Sequence, residues 1–267
     1  MTKRRMNTDE LPLNGAGVLV TRPAAQADAL CRLIEQQGGE VYRFPVLEIR
    51  ASDRPQALAD AIERLDDYDW AFFVSANAVD MALTRILEQR NWPDALNIAV
   101  VGKRSATELE RFGLTADLVP EHKFNSEALL AMPPMHEVEG LRCVIFRGNA
   151  GREYLADTLR ERGAEVDYVE AYQRVRPSGD AEALLQHWRA GKIDIVQVNS
   201  EESLQNLIAM LGAAGQSLLR ATPLLVVSER MLPRVRALGF EQPPLLAANA
   251  TDQAVLDALL AWRTSQV

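Results

Sequence analysis

The stretch GVLVTRPAAQADALCRLIEQQGGEV, residues 17–41, is repeated in outline by RCVIFRGNAGREYLADTLRERGAEV, residues 142–166. The correspondence continues at a spacing of 125 residues, which places Asp69 on Asp194 and Ser75 on Ser200. Further along, IAVVGKRSATELERFGL (98–114) matches LLVVSERMLPRVRALGF (224–240), and FNSEALL (124–130) matches ATDQAVL (250–256). The sequence therefore predicts that the chain is a duplication of about half its length.

Each repeat alternates short apolar runs with longer amphipathic runs. The short runs end in small polar residues: GVLVT (17–21), WAFFVS (70–75), IAVVG (98–102), CVIFRG (143–148), DIVQVN (194–199) and LLVVS (224–228). The longer runs, such as QADALCRLIEQQG (26–38), place Leu, Ile and Ala at helical spacing and stop at glycine. This alternation is typical of β/α units around a parallel sheet. It predicts an α/β fold of two flavodoxin-like, doubly wound lobes related by the duplication.

Two further runs alternate instead of being uniformly apolar: EVYRFPVLEI (40–49) and EVDYVEAYQRV (165–175). Alternation indicates that one face of a strand meets water. We expect the two runs to pair antiparallel and to form a two-stranded β-ladder between the lobes, over residues 41–52 and 164–175. One lobe would then contain residues 14–40 with 176–267, and the other residues 53–163.

Composition narrows the class of protein. The chain has 267 residues, of which 48% are hydrophobic and 25% charged, as in ordinary globular proteins. A net charge of −8 and the lack of a basic stripe argue against nucleic-acid binding. The amino terminus MTKRRMNTDELPLNG has no apolar core of a signal peptide, and no run of 18 apolar residues occurs, so we expect a cytoplasmic protein without membrane contact. Cys31 and Cys143 are expected to be reduced core residues.

The sequence lacks the motifs of several common classes of enzyme and metal site. The three histidines have no metal-pair spacing, and Cys-x-x-Cys, G-x-S-x-G and Walker motifs are absent, so no metal site is expected. What remains is a set of hydroxyls, amides, basic groups and helix starts at the carboxyl ends of parallel strands, where open α/β sheets bind ligands and helix starts attract anions. The candidate binding residues are Thr21, Arg22, Ser75, Asn77, Lys103, Ser126, Arg147, Gly148, Asn149, Ser200, Ser228 and Thr251.

Structural roles compete with binding at most of these positions. Ser75, Ser126, Ser200 and Thr251 fall where a helix needs its N-cap, and one residue can both cap and bind. Arg22 and Arg147 can pair with surface carboxylates or act as forks for a ligand carboxylate. Lys103 begins a helix, where a nearby anion would offset its unfavourable charge. From its strand position alone, Tyr172 is expected to be a cross-strand packing partner.

The order of several motifs carries a family resemblance. VLVTRP (18–23), FVSANAV (73–79), VVGKRSATELERFGL (100–114), YQRV (172–175) and ANATDQAVLDAL (248–259), together with the duplication, resemble the uroporphyrinogen-III synthase family over nearly the whole chain from Gly17 to about Leu260. That family has two α/β lobes joined by a two-stranded β-ladder. FVSANAV and VNSEES (198–203) lack the proline that often follows the serine in relatives.

The resemblance implies a reaction and a catalytic residue. Family members close hydroxymethylbilane, a linear tetrapyrrole rich in carboxylates, into uroporphyrinogen III with loss of water and inversion of ring D. No cofactor is implied, and positioning carries most of the catalysis. The match at YQRV makes Tyr172 the candidate for assisting hydroxide departure, since a protonated phenol can donate to the leaving group.

Partners and an alternative follow from the same reading. We expect a monomer that binds hydroxymethylbilane and makes transient contact with hydroxymethylbilane synthase. A non-enzymatic, two-lobed sensor of a small anionic ligand would use the same strand-end hydroxyls and stays open as an alternative. A pair of receiver-like signalling domains does not fit, because the strand ends read Thr-Arg, Ser-Ala and Gly-Lys where acidic residues would be needed.

Overall fold

The computed structural model describes residues 11–266 and divides the chain into two compact units. Among the described residues, the first unit consists of residues 11–48 together with residues 176–266, and the second of residues 49–175. Each unit contains one five-stranded sheet. Residues 1–10, on which the expectation about a signal peptide largely rests, lie outside the described part of the chain.

Strands and helices alternate along most of the chain. The strands are β1 (Gly17–Val20), β2 (Glu40–Arg43), β3 (Glu48–Ala51), β4 (Trp70–Phe73), β5 (Asn97–Val100), β6 (Arg142–Gly148), β7 (Glu165–Val175), β8 (Ile195–Val198), β9 (Leu224–Val226) and β10 (Leu245–Leu246). The α-helices are α1 (Ala24–Gln36), α2 (Pro55–Glu63), α3 (Ala76–Leu87), α4 (Lys103–Glu110), α5 (Ser126–Leu130), α6 (Tyr154–Glu161), α7 (Glu182–Arg189), α8 (Glu201–Ala221), α9 (Leu232–Ala237) and α10 (Asp252–Thr264). Helix α8 is interrupted at Gly212, whose φ is 60°.

The sheet of the first unit has the order β10-β9-β8-β1-β2 and is parallel throughout. Helices α1 and α10 cover one face with residues such as Ile34 and Leu259, and α7, α8 and α9 cover the other with residues such as Leu184, Leu207 and Val235. A parallel sheet buried on both faces explains why β1 and β8 are apolar along most of their length.

The second unit has the strand order β3-β7-β6-β4-β5, and its four strands from β7 to β5 are parallel. Helices α2, α3 and α4 pack on one face through residues such as Ile62 and Leu83. Helices α5 and α6 pack on the other face through residues such as Leu129 and Leu159. The expected α/β fold with parallel sheets is therefore observed.

The expected ladder between residues 41–52 and 164–175 is wrong for residues 40–43, whereas residues 48–51 do lie beside the second segment, as β3 next to β7. Strand β2 pairs in parallel with β1, with Glu40 opposite Gly17, and so belongs to the first sheet. Strand β7 pairs in parallel with β6, and its other neighbour is the short strand β3. The alternation of residues 40–43 has another cause: β2 is the edge strand of its sheet, and its side chains are partly exposed.

Both cysteines are core residues, as predicted. The Cys31 and Cys143 side chains are fully buried, and burial raises the pKa of the Cys143 thiol to about 12. Burial also raises the pKa of Cys31. No helix among residues 11–266 is long and apolar enough to cross a membrane.

Candidate active-site cleft

A cleft of about 240 Å³ opens in the second unit at the carboxyl ends of β4 and β6. It is lined by Val74, Ser75, Ser126, Ile145, Arg147, Gly148, Ala150, Gly151, Arg152, Leu155, Tyr168, Tyr172 and Arg174. Strands β4 and β6 are neighbours, but the helices that follow them, α3 and α6, cover opposite faces of the sheet. The two connections therefore diverge and leave a crevice, which is where open α/β sheets bind ligands.

Tyr172 reaches this cleft because of an irregularity in its strand. Along β6 and β7, Arg147 lies opposite Glu170 but Gly148 lies opposite Tyr172, so Ala171 is an extra residue on β7. A bulge of this kind moves the following side chain to the other face of the sheet. Tyr172 consequently packs with Ala171 on the α3 face, is only 5% exposed, and places its Oη 3.1 Å from the Ser75 Oγ.

Gly148 makes room for the tyrosine ring. A Cβ at this position would lie 2.7 Å from Cζ, 2.8 Å from Cε2 and 3.0 Å from Oη of Tyr172. Any side chain here would therefore displace the ring. The geometry makes Gly148 a positioning residue for Tyr172, in addition to its place in the lining of the cleft.

Ser75 is the N-cap of α3, as predicted. Its backbone is extended, and its Oγ accepts a hydrogen bond from the Ala78 N–H at 3.1 Å. This bond satisfies one of the free N–H groups at the start of a twelve-residue helix. Asn77 is the second residue of the same helix.

Arg147 is held beside Tyr168 at the rim of the cleft. Its Nη1 donates to Glu153 at 2.8 Å, its Nε donates to the Gly148 carbonyl at 3.2 Å, and its guanidinium carbon lies 4.7 Å from the centre of the Tyr168 ring. The ion pair lowers the pKa of Glu153. Burial, followed by hydrogen bonding to Glu153, raises the pKa of Tyr168 to about 12, so this phenol stays protonated at neutral pH.

A second arginine of the cleft also has a carboxylate partner. Arg152 donates through both terminal nitrogens to Glu127, at 2.5 and 2.8 Å, and this contact lowers the pKa of Glu127 to about 2. A forked pair of this kind fixes the orientation of the guanidinium plane. In Arg147 and Arg152 the cleft thus has two guanidinium groups whose positions are fixed by ion pairs with Glu153 and Glu127, which also offset their charge.

Residues 28–257 match the family model described as uroporphyrinogen-III synthase HemD. The chain is 34% identical over 244 residues to the uroporphyrinogen-III synthase of Escherichia coli K12, with 91% of this chain and 99% of that protein covered. The chain belongs to the uroporphyrinogen-III synthase family. It is also 35% identical over 245 residues to the uroporphyrinogen-III synthase of Salmonella typhimurium LT2, again covering 91% of this chain and 99% of that protein.

Solved structures of the uroporphyrinogen-III synthase family share the fold. A mutant uroporphyrinogen III synthase from the extremely thermophilic bacterium Thermus thermophilus matches with a TM-score of 0.64 and 16% identity, covering 95% of this chain and 100% of that one. The enzyme from Helicobacter pylori 26695 matches with a TM-score of 0.56 and 11% identity, covering 92% and 99%. At these identities the likeness concerns the fold alone.

Two other predicted residues of the second unit have structural contacts. Asn149 donates its backbone N–H to the Tyr172 carbonyl at 3.2 Å, and its side chain bonds both backbone groups of Arg174. Asn149 therefore extends the pairing beyond the end of β6. The Nζ of Lys103 lies 5.6 Å from the ring centre of Phe124, an exposed side chain, and Lys103 is not among the lining residues of the cleft.

The N-cap prediction is wrong for one of its four serines and threonines. Helix α5 is capped by Asn125, whose Oδ1 accepts from the Ala128 N–H at 2.8 Å, and Ser126 is its first helical residue. Asparagine caps as well as serine, and the two adjacent polar residues cannot be ranked from sequence. Ser126 nevertheless lines the cleft.

The remaining predicted residues lie in the first unit, at strand and helix ends. Thr21 is buried and donates to the Gln197 carbonyl at 2.8 Å. Ser200 and Thr251 are the N-caps of α8 and α10, as predicted, and Ser228 caps the 3₁₀ turn Glu229–Met231. These contacts account for the positions of the residues, and their roles in substrate binding stay predictions.

Arg22 is the most buried of the predicted charged residues. Its side chain is 6% exposed and forms an ion pair with Asp252, in the first turn of α10. The Nε and Nη2 atoms are buried and have no hydrogen-bond partner among the described residues. Its carboxylate partner comes from the protein, and a role as a carboxylate fork for substrate stays a prediction.

Sequence reasoning missed Tyr168, Gly151, Arg152 and Arg174 as lining residues of the cleft. Tyr168 lies four positions before Tyr172 on the same strand, so proximity in sequence was an available signal. The other three follow from the course of the chain after β6 and at the end of β7. Within residues 11–266, no group of three or more His, Cys, Asp or Glu side chains could hold a metal ion.

Proposed function

We propose that this chain cyclises hydroxymethylbilane to uroporphyrinogen III, the reaction after which its relatives are named. The observation that carries the proposal is the buried Tyr172 hydroxyl, which lies in a cleft at the carboxyl ends of β4 and β6 and is held 3.1 Å from Ser75. A phenol in this setting can donate a proton to a leaving hydroxyl. Tyr172 is the catalytic residue in this proposal.

Few reactive groups are needed for this chemistry. Departure of the hydroxyl leaves an electrophilic azafulvene, and the isomer formed depends on which carbon of ring D attacks it. A shaped cleft that favours attack through the substituted carbon leads, through a spiro intermediate, to inversion of ring D. Holding the reacting ends in one geometry supplies most of the rate and selectivity.

Binding of a polyanion by a protein of net charge −8 requires local donors. The cleft contains Arg147, Arg152 and Arg174, and the starts of α3 and α5 lie at its edge. Helix starts carry partial positive charge, and a screening length of about 8 Å at physiological salt weakens repulsion from distant carboxylates. Substrate carboxylates are therefore proposed to bind these arginines and the backbone N–H groups of the α3 start.

We propose further that the two units are flavodoxin-like and arose by duplication. Numbered by their position within a repeat, the strands of the first unit, β1, β2, β8, β9 and β10, stand in the order 2-1-3-4-5, which is that of flavodoxin. In the second unit, the equivalent strands β6, β7, β4 and β5 follow the same order, and Leu118 bridges to Ala99 at the fifth position.

Equivalent hydrogen bonds support the duplication. The Asp194 carboxylate accepts from the Gly17 N–H at 2.7 Å, and Asp69, 125 residues before Asp194, accepts from the Arg142 N–H at 2.8 Å. Gly15 donates to the Gly38 carbonyl at 2.8 Å, and Gly140 donates to the Gly163 carbonyl at 2.9 Å. Each unit therefore combines strands from both repeats.

The isomer assay tests the function directly. Purified protein is incubated with hydroxymethylbilane, and the products are separated as type I and type III isomers. We expect mainly type III with the protein and type I without it. A mixture unchanged by the protein would leave a non-enzymatic sensor of anionic ligands as the better interpretation.

Replacing Tyr172 by phenylalanine tests the catalytic role. We expect Tyr172→Phe to slow turnover by about 10²-fold, a typical contribution of general acid catalysis, while type III remains the main product and stability falls by about 1 kcal/mol, the contribution of one hydrogen bond. Tyr154→Phe is the matched control, since Tyr154 is exposed and does not line the cleft. A wild-type rate in Tyr172→Phe would remove this residue from the mechanism.

A further inference from the structure

We infer that Ser75 is a positioning residue that acts through Tyr172: its hydroxyl donates to the Tyr172 oxygen, aims the phenol proton at the substrate and stabilises the oxygen as that proton leaves. The inference rests on the proposed function and deepens it. It differs from the predicted role of Ser75 as a direct substrate ligand, because here the effect of the serine passes entirely through the tyrosine.

The contact between the Ser75 and Tyr172 hydroxyls can run in either direction, and the direction follows from where the Tyr172 proton goes. The Oγ already accepts from the Ala78 N–H at 3.1 Å and lies 3.1 Å from the Tyr172 Oη. A hydroxyl has one proton and two lone pairs, so Ser75, while it accepts from Ala78, can either donate to the Tyr172 oxygen or accept from it. When the Tyr172 proton is directed at a leaving hydroxyl, the bond between the two side chains must run from Ser75 to Tyr172.

The start of α3 makes this bond stronger as the reaction proceeds. Transfer of the phenol proton leaves negative charge on the Tyr172 oxygen. That oxygen then accepts a charge-assisted hydrogen bond from Ser75, which is about twice as strong as a neutral one. The Ser75 oxygen in turn accepts from the first turn of a twelve-residue helix, whose amino end carries about half a positive charge. The stabilisation therefore grows towards the transition state.

Other contacts hold the ring in place without Ser75. The extra residue Ala171 sets the face on which Tyr172 lies, the ring is 5% exposed, and Gly148 lies directly against it. Loss of the serine hydroxyl should therefore leave the phenol in the cleft with its proton free to point in the wrong direction. This separates an effect on turnover from an effect on substrate binding.

The test combines Ser75→Gly with Tyr172→Phe. Glycine is nearly as good an N-cap as serine, so Ser75→Gly should keep α3 while it removes the hydroxyl. Initial rates of type III formation are measured for the wild type, both single variants, the double variant and Ser75→Thr. We expect Ser75→Gly to lower kcat by about 10- to 100-fold, as for loss of a hydrogen bond to a charged group, with KM changed less than about threefold.

The double variant and the threonine decide between positioning and binding. In the Tyr172→Phe background, Ser75→Gly should have no further effect on kcat. As a single variant, Ser75→Thr keeps the hydroxyl and should retain most of the wild-type kcat. Additive losses in the double variant, an increase of KM with kcat intact, or wild-type kinetics in Ser75→Gly would each overturn the inference.

A measurement without turnover separates this inference from the proposed function. Urea unfolding of the wild type, the two single variants and the double variant should show that the effects of Ser75→Gly and Tyr172→Phe are not additive, because the two hydroxyls are bonded to each other. Additive effects on the free energy of unfolding would contradict the hydrogen bond between Ser75 and Tyr172, whatever reaction the protein catalyses. If the two substitutions have non-additive effects on unfolding but the protein forms no type III product, the hydrogen bond is supported. The proposed function and the catalytic part of the inference are then wrong.

Discussion

Adding one methyl group at Gly148 should lower the activity of the protein, because the methyl group would push the Tyr172 ring out of position. In Gly148→Ala the new Cβ would lie 2.7 Å from Tyr172 Cζ, whereas carbon atoms in contact are normally about 3.5–4.0 Å apart. The ring must therefore shift by roughly 0.8 Å or more. Because Tyr172 is 5% exposed and packed in the core of its unit, we expect the shift to cost about 1–3 kcal/mol of stability.

The same shift should affect turnover more than it affects folding. It lengthens the 3.1 Å contact between Tyr172 and Ser75 and misplaces the phenol, and a misplacement of about 1 Å can cost about 10²-fold in rate. Rates of type III formation and urea unfolding are to be measured in parallel. Gly179→Ala is the matched control, since its Cβ meets only the flexible end of Met210, at 3.4 Å.

A second substitution tests whether the clash with the Tyr172 ring causes the loss of stability in Gly148→Ala. In a Tyr172→Ala background the ring is gone, so Gly148→Ala should cost little further stability. The reasoning is refuted if Gly148→Ala is as stable and active as the wild type, or if its loss of stability is the same with and without the ring.

Three further predictions concern side chains that are buried or partly buried. Asp252→Ala should lower the free energy of unfolding by roughly 3 kcal/mol in urea titrations, because it leaves the 6% exposed Arg22 without its carboxylate; a loss near zero would mean that solvent replaces the carboxylate. Cys31 and Cys143 should resist iodoacetamide in the native protein and react after unfolding, because both are fully buried; rapid native alkylation would contradict this. Burial raises the pKa of Tyr168 from 10.0 to about 12, so its contribution to stability should be complete below pH 10 and lost between pH 10 and 12. Unfolding titrations across that range should show a steeper loss in the wild type than in Tyr168→Phe, and equal slopes would contradict the assignment.

Local pattern was sufficient for most of the fold. Apolar runs bounded by small polar residues located β1, β4, β5, β6, β8 and β9, because strands buried on both faces must be apolar throughout. Ser75, Ser200 and Thr251 were recognised as N-caps, because capping depends on residues close in sequence. The partner of β2 was not predicted, since an edge strand and one strand of a ladder show the same alternation.

By itself, the sequence determined the α/β class and the family, because these depend on residue types and spacing along the chain. Only the tertiary structure decided on which face of β7 Tyr172 lies. Strict alternation would place it with Tyr168, and the extra residue Ala171 moves it to the face covered by α3. That outcome depends on how β7 pairs with β6, and on the missing side chain at Gly148, 24 residues away. Register between strands is set by contacts distant in sequence, so no local pattern records it.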